Sequence, residues 1–233
     1  MGKRIIQQAR GHGSGTYRVR RGAYIFKLRY PVNLKGEGTV IKLMNSMGHT
    51  APVARIKHNG EDFYIPAFTN MVEGQKISFE SNEVKDGNIM ELDRIPIKTR
   101  IYCIESAPGD GGVFIKTGGS SAVLNRKVGE DVFVLMPSKK EKRFHKKCRA
   151  IIGVIAGGGR LDKPFIKAGK KYHLMKTKGK LWPRTSAIKV NVVDNPFGSG
   201  RGKNPKRKIA KRNAPPGKKV GHIRPRRTGR KKK

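Results

Sequence analysis

The middle of the chain alternates short apolar runs with turn-forming residues. Between residues 35 and 95, the two-residue period predicts β-strands at 38–43, 53–58, 61–65 and 76–80. Asn59-Gly60 separates the second and third strands and favours the left-handed torsions of a type I′ turn, so a hairpin is expected there. Short strands at even spacing predict a small antiparallel barrel of the oligonucleotide-binding type over residues 35–95.

A second set of strands is predicted after Pro96, at residues 99–105, 113–117, 122–124, 132–136 and 143–155. In the longest run, apolar residues share one face: Phe144, Cys148, Ala150, Ile152 and Val154. Basic residues share the other face: Arg143, His145, Lys147 and Arg149. The first face is expected to pack in a core and the second to offer cations to phosphate. Residues 96–159 are therefore interpreted as an SH3-like barrel, and the fold class is mainly β, without a long helical period.

Both ends of the chain break this pattern. In residues 1–34, Gly11, Gly13 and Gly15 recur at every second position, which disfavours a helix there and lets the backbone approach a partner closely. Further on, Tyr17, Tyr24, Phe26 and Tyr30 alternate with arginine and lysine. Such aromatic residues can stack on bases while the cations meet phosphate. The alternative is that the apolar residues around Tyr24 dock onto the globular part, and both can hold.

Residues 160–233 contain too few apolar side chains to offset the entropy of ordering them alone. Apolar anchors are nevertheless spaced through this segment, around Leu181-Trp182-Pro183 and Val192-Val193. Lys189–Gly202 forms a glycine-rich loop between basic arms. We interpret residues 1–34 and 160–233 as long, extended basic extensions that become ordered on a large, grooved, negatively charged partner, for which RNA of defined shape is the best candidate.

The charge distribution sharpens this interpretation. The 233 residues include 53 Lys and Arg and 16 Asp and Glu, a formal net charge of +37. Residues 1–34 carry 8 basic and no acidic residues, residues 35–159 carry 19 and 14, and residues 160–233 carry 26 and two. Most of the net positive charge therefore lies in the two ends of the chain. It indicates the kind of partner rather than the fold.

Several other classes of protein are disfavoured. Cys103 and Cys148 form no CxxC pair and lie in apolar runs, so buried thiols are expected rather than a disulfide scaffold or zinc site. No apolar run reaches the length of a membrane span, and no signal-peptide pattern opens the chain, so a cytosolic protein without a membrane partner is expected. The glycines at 157–159 could face an anion, but a flexible hinge is the preferred interpretation.

Several long motifs occur in a fixed order: GKRIIQQARGHGSGTYR at the start, PGDGG at 108–112, CRAIIGVIAGGGRLDKPFIKAG at 148–169, WPRTSAIKVNVVDNPFG at 182–198 and KRNAPPGKKVGHIRPRRTGR at 211–230. Together they resemble the universal large-subunit ribosomal protein two (L-two) family, in its archaeal and eukaryotic form. The resemblance implies an oligonucleotide-binding-like barrel, an SH3-like barrel and extended ends that thread into large-subunit rRNA. It also implies primary rRNA binding, subunit joining and tRNA placement near the peptidyl transferase centre.

One motif departs from the family. A histidine in its V-D-H-P motif has been linked to peptide-bond formation, whereas this chain has Val193-Asp194-Asn195-Pro196. An amide has no accessible protonation change and cannot act as a general base. Asn191, Asp194 and Gly198 do match the family, so the loop's structural role carries over, and no enzymatic activity is expected.

The predicted RNA-binding residues fall into four groups. A front anchor comprises Arg10, Arg18, Arg20 and Arg21; a cationic seam comprises Arg149, Arg160, Lys163, Lys167 and Lys170. The glycine-rich loop contributes Asn191, Asp194, Asn195 and Gly198, and phosphate is neutralised by Arg184, Arg201, Lys211, Arg212, Arg226 and Arg227. Expected partners are large-subunit rRNA, neighbouring ribosomal proteins and the small subunit, with no cofactor beyond rRNA-associated magnesium. A generic nucleic-acid-compacting protein and a peptidyl transferase component with direct chemistry are the alternatives.

Overall fold

The computed structural model describes residues 6–79, 83–186, 189–198, 209–215, 217–220 and 222–223. The chain forms two compact units. Arg21–Ile166 make up the first, which we call the body. Met1–Arg20 together with Lys167–Lys233 make up the second, which we call the basic unit. The predicted division of the chain at residues 34, 95 and 159 stays a prediction.

The body is mainly β. Its strands are β1 (Gly36–Met44), β2 (Val53–His58), β3 (Glu61–Pro66), β4 (Lys76–Phe79), β5 (Ile89–Glu91), β6 (Arg100–Tyr102), β7 (Ala122–Val128), β8 (Asp131–Leu135), β9 (Glu141–His145) and β10 (Arg149–Ile152). They form one sheet in the order β3-β2-β1-β4-β5-β10-β6-β7-β8-β9. All neighbours pair antiparallel except β4 and β5, which meet in parallel at Phe79 and Ile89.

The predicted hairpin in the first barrel is confirmed. β2 and β3 pair along their whole length from Val53↔Pro66 to His58↔Glu61. Asn59 and Gly60 both have positive φ, 47° and 85°, as a type I′ turn requires. The alternating residues of these strands enter a core that includes Val40, Ile56 and Ile65.

A second core lies among the later strands and includes Leu124, Val132 and Phe144. The two cores meet at β10, whose four residues are all buried. Ile151 packs in the first core, while Ala150 and Ile152 pack in the second. The fold is that expected for an oligonucleotide-binding-like barrel followed by an SH3-like barrel, with one strand shared between their cores.

The prediction of a single strand over residues 143–155 is wrong. The chain turns at Lys146-Lys147, where Lys146 N donates to Glu130 O and Cys148 N donates to His145 O. β9 pairs with β8, whereas β10 moves between β5 and β6. A strand with neighbours on both edges and cores on both faces has no outer face, so the alternation of exposed cations ends at Lys147.

The alternative in which the apolar residues around Tyr24 dock onto the globular part holds only in part, because Leu28 is buried whereas Tyr24 and Ile25 are exposed. Ala23, Leu28, Tyr30 and Leu34 are buried in the body. Both cysteines are fully buried free thiols, as expected. Burial raises the pKa of the Cys103 thiol to about 12 and that of the Cys148 thiol to about 11.

The described part of the basic unit contains two helices and a short strand pair: α1 (Ile6–Gly11), α2 (Ala168–Thr177), β11 (Ile209–Ala210) and β12 (His222–Ile223), with β11 and β12 parallel. The sequence pattern misses α2, because AGKKYHLMKT has almost no apolar stripe and Thr177 is its one buried residue. None of the helices in the described ranges is long and apolar enough to cross a lipid bilayer.

Candidate nucleic-acid interface

The two units differ strongly in charge. The basic unit carries 29 Lys and Arg and a single acidic residue, Asp194. The body carries 24 Lys and Arg and 15 Asp and Glu. A polyanionic partner is therefore needed by the basic unit and not by the body.

The end of α2 fixes the centre of the candidate interface. Gly179 takes a left-handed conformation with φ of 60°. Its N–H donates to Lys176 O at 3.2 Å, and Lys180 N donates to Met175 O at 2.9 Å. This pair of bonds is the Schellman motif, which satisfies carbonyls at the helix end and sets the direction of the chain beyond it. Lys180 and the residues after it consequently start from a defined position.

The backbone of Tyr17–Val19 lies directly against Gly179. A Cβ at position 179 would be 2.9 Å from Tyr17 O and 3.1 Å from Val19 N. Glycine is thus required twice, by the torsion and by the close approach of the other chain segment. This contact brings residues near the chain's start alongside the end of α2.

The first pocket lies at this crossing and encloses about 230 Å³. It is lined by Arg10, Tyr17, Gly179, Lys180, Leu181 and Arg184. The pocket unites two predicted RNA-binding arginines, Arg10 and Arg184, that lie far apart in the sequence. Three cations and one aromatic ring surround it, and none of the described residues that line it is acidic, so it has the chemistry to accept an anion together with a flat ring.

The second pocket is larger, about 500 Å³, and is lined by Gly15, Thr16, Tyr172, Lys176, Lys180, Leu181 and Trp182. Each of its aromatic rings already has a cation near it. Lys176 Nζ lies 5.7 Å from the ring centroid of Tyr172, and Lys171 Nζ lies 5.6 Å from that of Trp182. Lys180 and Leu181 line both pockets, so the two are adjacent.

The glycine-rich loop is held by its own backbone. Asp194 N and Asn195 N both donate to Asn191 O, at 3.0 and 3.1 Å, and Gly198 N donates to Asn195 O at 2.8 Å. A Cβ on Gly198 would lie 2.2 Å from Val190 O, which explains the glycine. The family resemblance at Asn191, Asp194 and Gly198 therefore coincides with residues that shape this loop.

Asn195 has an internal role in this loop. Its side chain is 9 % exposed, and its Oδ1 accepts a hydrogen bond from Phe197 N at 2.9 Å. The amide oxygen that was predicted to meet RNA is engaged with the Asn-Pro-Phe-Gly turn. An asparagine that accepts from the backbone two residues on is a common way to stabilise a turn.

The remaining predicted cations are mostly exposed on one unit or the other. In the basic unit, exposed side chains are those of Arg18, Arg20, Lys167, Lys170, Lys211 and Arg212. In the body, they are those of Arg21, Arg160 and Lys163. Arg160 also donates from Nε to Gly118 O at 3.3 Å. Arg201, Arg226 and Arg227 lie outside the described residues.

Arg149 differs from the other predicted cations, because the structure places it in the interior. Its residue is 7 % exposed, and its guanidinium donates to Glu105 Oε1 at 2.9 Å, Val32 O at 2.8 Å and Pro31 O at 3.2 Å. The strand alternation behind its assignment to a cationic surface ends before β10. In this structure Arg149 binds the segment at residues 31–32 to the body and is unavailable to phosphate.

Glu105 is the centre of that internal network. The carboxylate is fully buried and also accepts from Arg149 N at 2.8 Å and Gly111 N at 3.1 Å. Tyr30 OH donates to Arg149 O at 3.0 Å, and burial raises the pKa of this phenol well above its ordinary value. The Gly111-Gly112 end of the PGDGG motif is therefore buried in the body, where Gly111 O accepts a hydrogen bond from Tyr30 N.

The segment around Gly118 and Gly119 packs closely against the chain near residues 157–159. A Cβ on Gly119 would lie 2.3 Å from Gly158 Cα, and one on Gly118 would lie 2.6 Å from Thr50 O. Two glycine-containing segments thus meet backbone to backbone, just before a 3₁₀ turn at Gly158–Leu161. Close approach therefore explains Gly118 and Gly119, whereas Cβ atoms on the glycines at 157–159 would make only ordinary contacts, so the hinge interpretation of that run stays a prediction.

Sequence reasoning missed three members of the pockets: Tyr172, Lys176 and Lys180. Tyr172 and Lys176 are four positions apart on α2, which places them on one face. The available signals were this spacing and Gly179, a glycine at the end of a short run of good helix formers. Among the described residues, no group of three His, Cys, Asp or Glu side chains is arranged to hold a metal ion.

A two-core β body attached to a unit with 29 cations and one acidic residue defines a class, that of basic proteins built to bind nucleic acid. The family model "Ribosomal Proteins L2, C-terminal domain" matches residues 85–215. The chain is 47 % identical over 235 residues to "Large ribosomal subunit protein uL2" of Methanococcoides burtonii, covering 98 % of this chain and 99 % of the relative.

Two further proteins of that name are similar over the same shares of the two chains. The protein of Archaeoglobus fulgidus is 45 % identical over 235 residues, and that of Methanocaldococcus jannaschii is 41 % identical over 239 residues. The chain belongs to the ribosomal protein L2 family, uL2.

Proposed function

We propose that this protein is a structural constituent of the large ribosomal subunit and binds its rRNA mainly through the basic unit. Family membership over nearly the full length of the chain carries the proposal. The charge of the basic unit supports it independently, because 29 cations and one carboxylate require a polyanion to be compensated. The site of action is then the ribosome in the cytoplasm, among neighbouring ribosomal proteins.

At a finer level, the protein stabilises rRNA near the peptidyl transferase centre and supports subunit association and tRNA binding. The support is the resemblance of the loop around Asn191, Asp194 and Gly198 to the family motif, together with the backbone bonds that give this loop a fixed shape. The small subunit is a partner across the subunit interface, and no membrane is involved.

The protein contributes no catalytic step of its own. Asn195 occupies the position of the family histidine, and an amide cannot exchange a proton at physiological pH. Its oxygen is already bonded to Phe197 N. The role of the loop is therefore to hold RNA rather than to carry chemistry.

Hydroxyl-radical footprinting of large-subunit rRNA with the full chain tests the proposal. We expect a discrete set of protected nucleotides that is absent from an unrelated RNA of the same length. A variant with residues 189–202 scrambled at constant composition keeps the charge and loses the loop's shape, so part of the protections should disappear. A generic compacting protein gives diffuse protection that the scramble does not change, and that result would contradict the proposal.

A further inference from the structure

We propose that the two adjacent pockets of the basic unit form one site for an unpaired two-nucleotide step of RNA. One base enters each pocket, and the phosphate that links them lies at Lys180, on the shared wall. The inference rests on the proposed function and narrows it, since it names single-stranded RNA, in a loop or bulge, as the ligand of this surface.

The residue composition of the two pockets is the first observation that supports a dinucleotide site. The first offers Tyr17 as a stacking ring, and the second offers Tyr172 and Trp182. Aromatic side chains are the usual platforms for unstacked bases, and they accept any base because each has a π-face. Lys180 lines both pockets and so stands where a phosphate between two such bases would be.

The cations around the shared wall are the second observation that supports this site. Arg10 and Arg184 line the first pocket and Lys176 lines the second, so both flanking phosphates also meet positive charge. The lysines near the rings of Tyr172 and Trp182 stand 5.7 and 5.6 Å from the centroids, at the outer range of a cation–aromatic contact. Exposed contacts of that kind are weaker than base stacking, so a base displaces them and leaves the cations free for phosphate.

The concave shape of the two pockets favours single-stranded RNA over an RNA duplex as the ligand. A paired base has both faces covered by its neighbours and cannot stack on a ring in the wall of a concave pocket. The pocket volumes of about 230 and 500 Å³ are of the order of sites that hold one small molecule each. A double helix would touch the exposed cations and leave both pockets empty.

The site is also preformed. The Schellman motif fixes Lys180, and the contact of Gly179 with Tyr17–Val19 holds the two chain segments together. Binding therefore avoids the entropic cost of ordering these residues, which favours a specific ligand.

Trp182 supplies a built-in reporter, because it is the only tryptophan of the chain. The full chain is titrated with single-stranded RNA of mixed sequence and, separately, with a blunt RNA duplex that has the same number of phosphates, at the same salt concentration. We expect the single strand to quench Trp182 fluorescence and to bind about tenfold more tightly than the duplex, the factor that one base–aromatic stack can supply.

Single substitutions test which aromatic rings bind the single-stranded RNA. Tyr17→Leu and Tyr172→Leu should each weaken single-strand binding about tenfold and affect duplex binding much less. Tyr17→Phe and Tyr172→Phe keep the ring and should recover most of that loss. The matched control is Phe133→Leu in the body. Arg126 lies 4.3 Å from the centroid of this ring, and Phe133 lines neither of the two pockets; single-strand binding should be unchanged.

The outcomes separate this inference from the proposed function. Equal affinity for the two RNAs without quenching of Trp182 overturns the inference and leaves rRNA binding intact. Equal losses in Phe133→Leu and the pocket variants also overturn it. Failure to bind either RNA overturns both. The comparison of the two RNAs on the unaltered chain needs no substitution, so a variant that does not fold cannot obscure the result.

Discussion

The body and the basic unit are organised by different forces. Among the described residues, the buried apolar side chains lie in the body with two exceptions, Ala210 and Val220. In the body, acidic residues pair with many of the cations, as in Arg126–Glu141, Arg143–Asp131 and Lys146–Glu130. The basic unit has Asp194 as its single carboxylate. The body is thus stabilised by its own cores, whereas the basic unit is fully compensated only by a partner.

This difference predicts that salt weakens RNA binding strongly and leaves the stability of the body nearly unchanged, and it is the largest effect we expect. Affinity of the full chain for large-subunit rRNA fragments should fall by about 10³ or more between roughly 50 and 200 mM salt, because bound phosphates release counterions. The free energy of unfolding of the body should change by less than about 1 kcal/mol, since its exposed ion pairs contribute little. Filter binding and chemical denaturation at matched salt give the two slopes. An affinity for rRNA that does not change with salt concentration would contradict the electrostatic account.

Breaking the buried pair in the body should cost the most stability. Arg149→Ala leaves the Glu105 carboxylate buried without its cation, and such losses amount to about 3–5 kcal/mol in the free energy of unfolding. Arg126→Ala is the control, because its pair with Glu141 is exposed and should cost about 1 kcal/mol or less. Urea denaturation measures both. Equal effects would show that Arg149 has no special internal role.

A substitution at Gly111 also tests the contacts inside the body, with a smaller expected loss of stability. Gly111→Ala combines a positive φ of 75° with a Cβ 2.2 Å from Arg29 Cγ and 2.6 Å from Tyr30 O, so we expect a loss of about 3 kcal/mol. Gly60→Ala has a similar φ of 85° and nothing within 4 Å of the new carbon. It should lose only the torsional cost of about 1 kcal/mol. The difference between the two melting temperatures isolates the close contact.

Alkaline pH should weaken the body gradually. The pKa of Cys103 is raised from 9.0 to about 12 by burial, so its folded-state thiol stays protonated while the unfolded chain loses the proton. The contribution of this thiol to the free energy of unfolding is fully present below pH 9. It declines by about 1.4 kcal/mol per pH unit as the pH rises toward 12. Cys103→Ala should flatten that part of the curve of unfolding free energy against pH. An unchanged slope would assign the decline to other groups, such as Tyr30.

The smallest effect concerns Asn195. Restoring the family histidine with Asn195→His should leave the rate of peptide-bond formation in reconstituted particles unchanged, because the loop holds RNA and carries no proton transfer. Asn195→Asp is the control that keeps an acceptor for Phe197 N. A faster reaction with histidine alone would give the loop a chemical role.

Local patterns predicted some strands and failed for others, since the predicted strand at 113–117 forms only an isolated bridge from Phe114 to Ile104. The β2–β3 hairpin follows from alternation and Asn59-Gly60, signals contained within a dozen residues. The strand at 143–155 was wrong because alternation cannot reveal that β10 has cores on both faces. The burial of Arg149 has the same cause.

The interface was predictable in charge but not in shape. Arg10 and Arg184 were identified by composition, yet only the crossing of Tyr17–Val19 over Gly179 brings them to one pocket. That contact joins opposite ends of the chain, and no periodicity within either end encodes it. Asn195 was predicted to lie in the glycine-rich loop, but its bond to Phe197 N depends on the exact backbone of that loop.

The sharing of β10 has a consequence for synthesis. The first barrel's strands β1–β5 are translated early, but β5 acquires its β10 partner only when residues 149–151 have been made. β6 waits for the same strand. On a growing polypeptide, neither barrel can close before the other is nearly complete, so the nascent body reaches its native state in one late step, just before the cationic C-terminal segment leaves the exit tunnel.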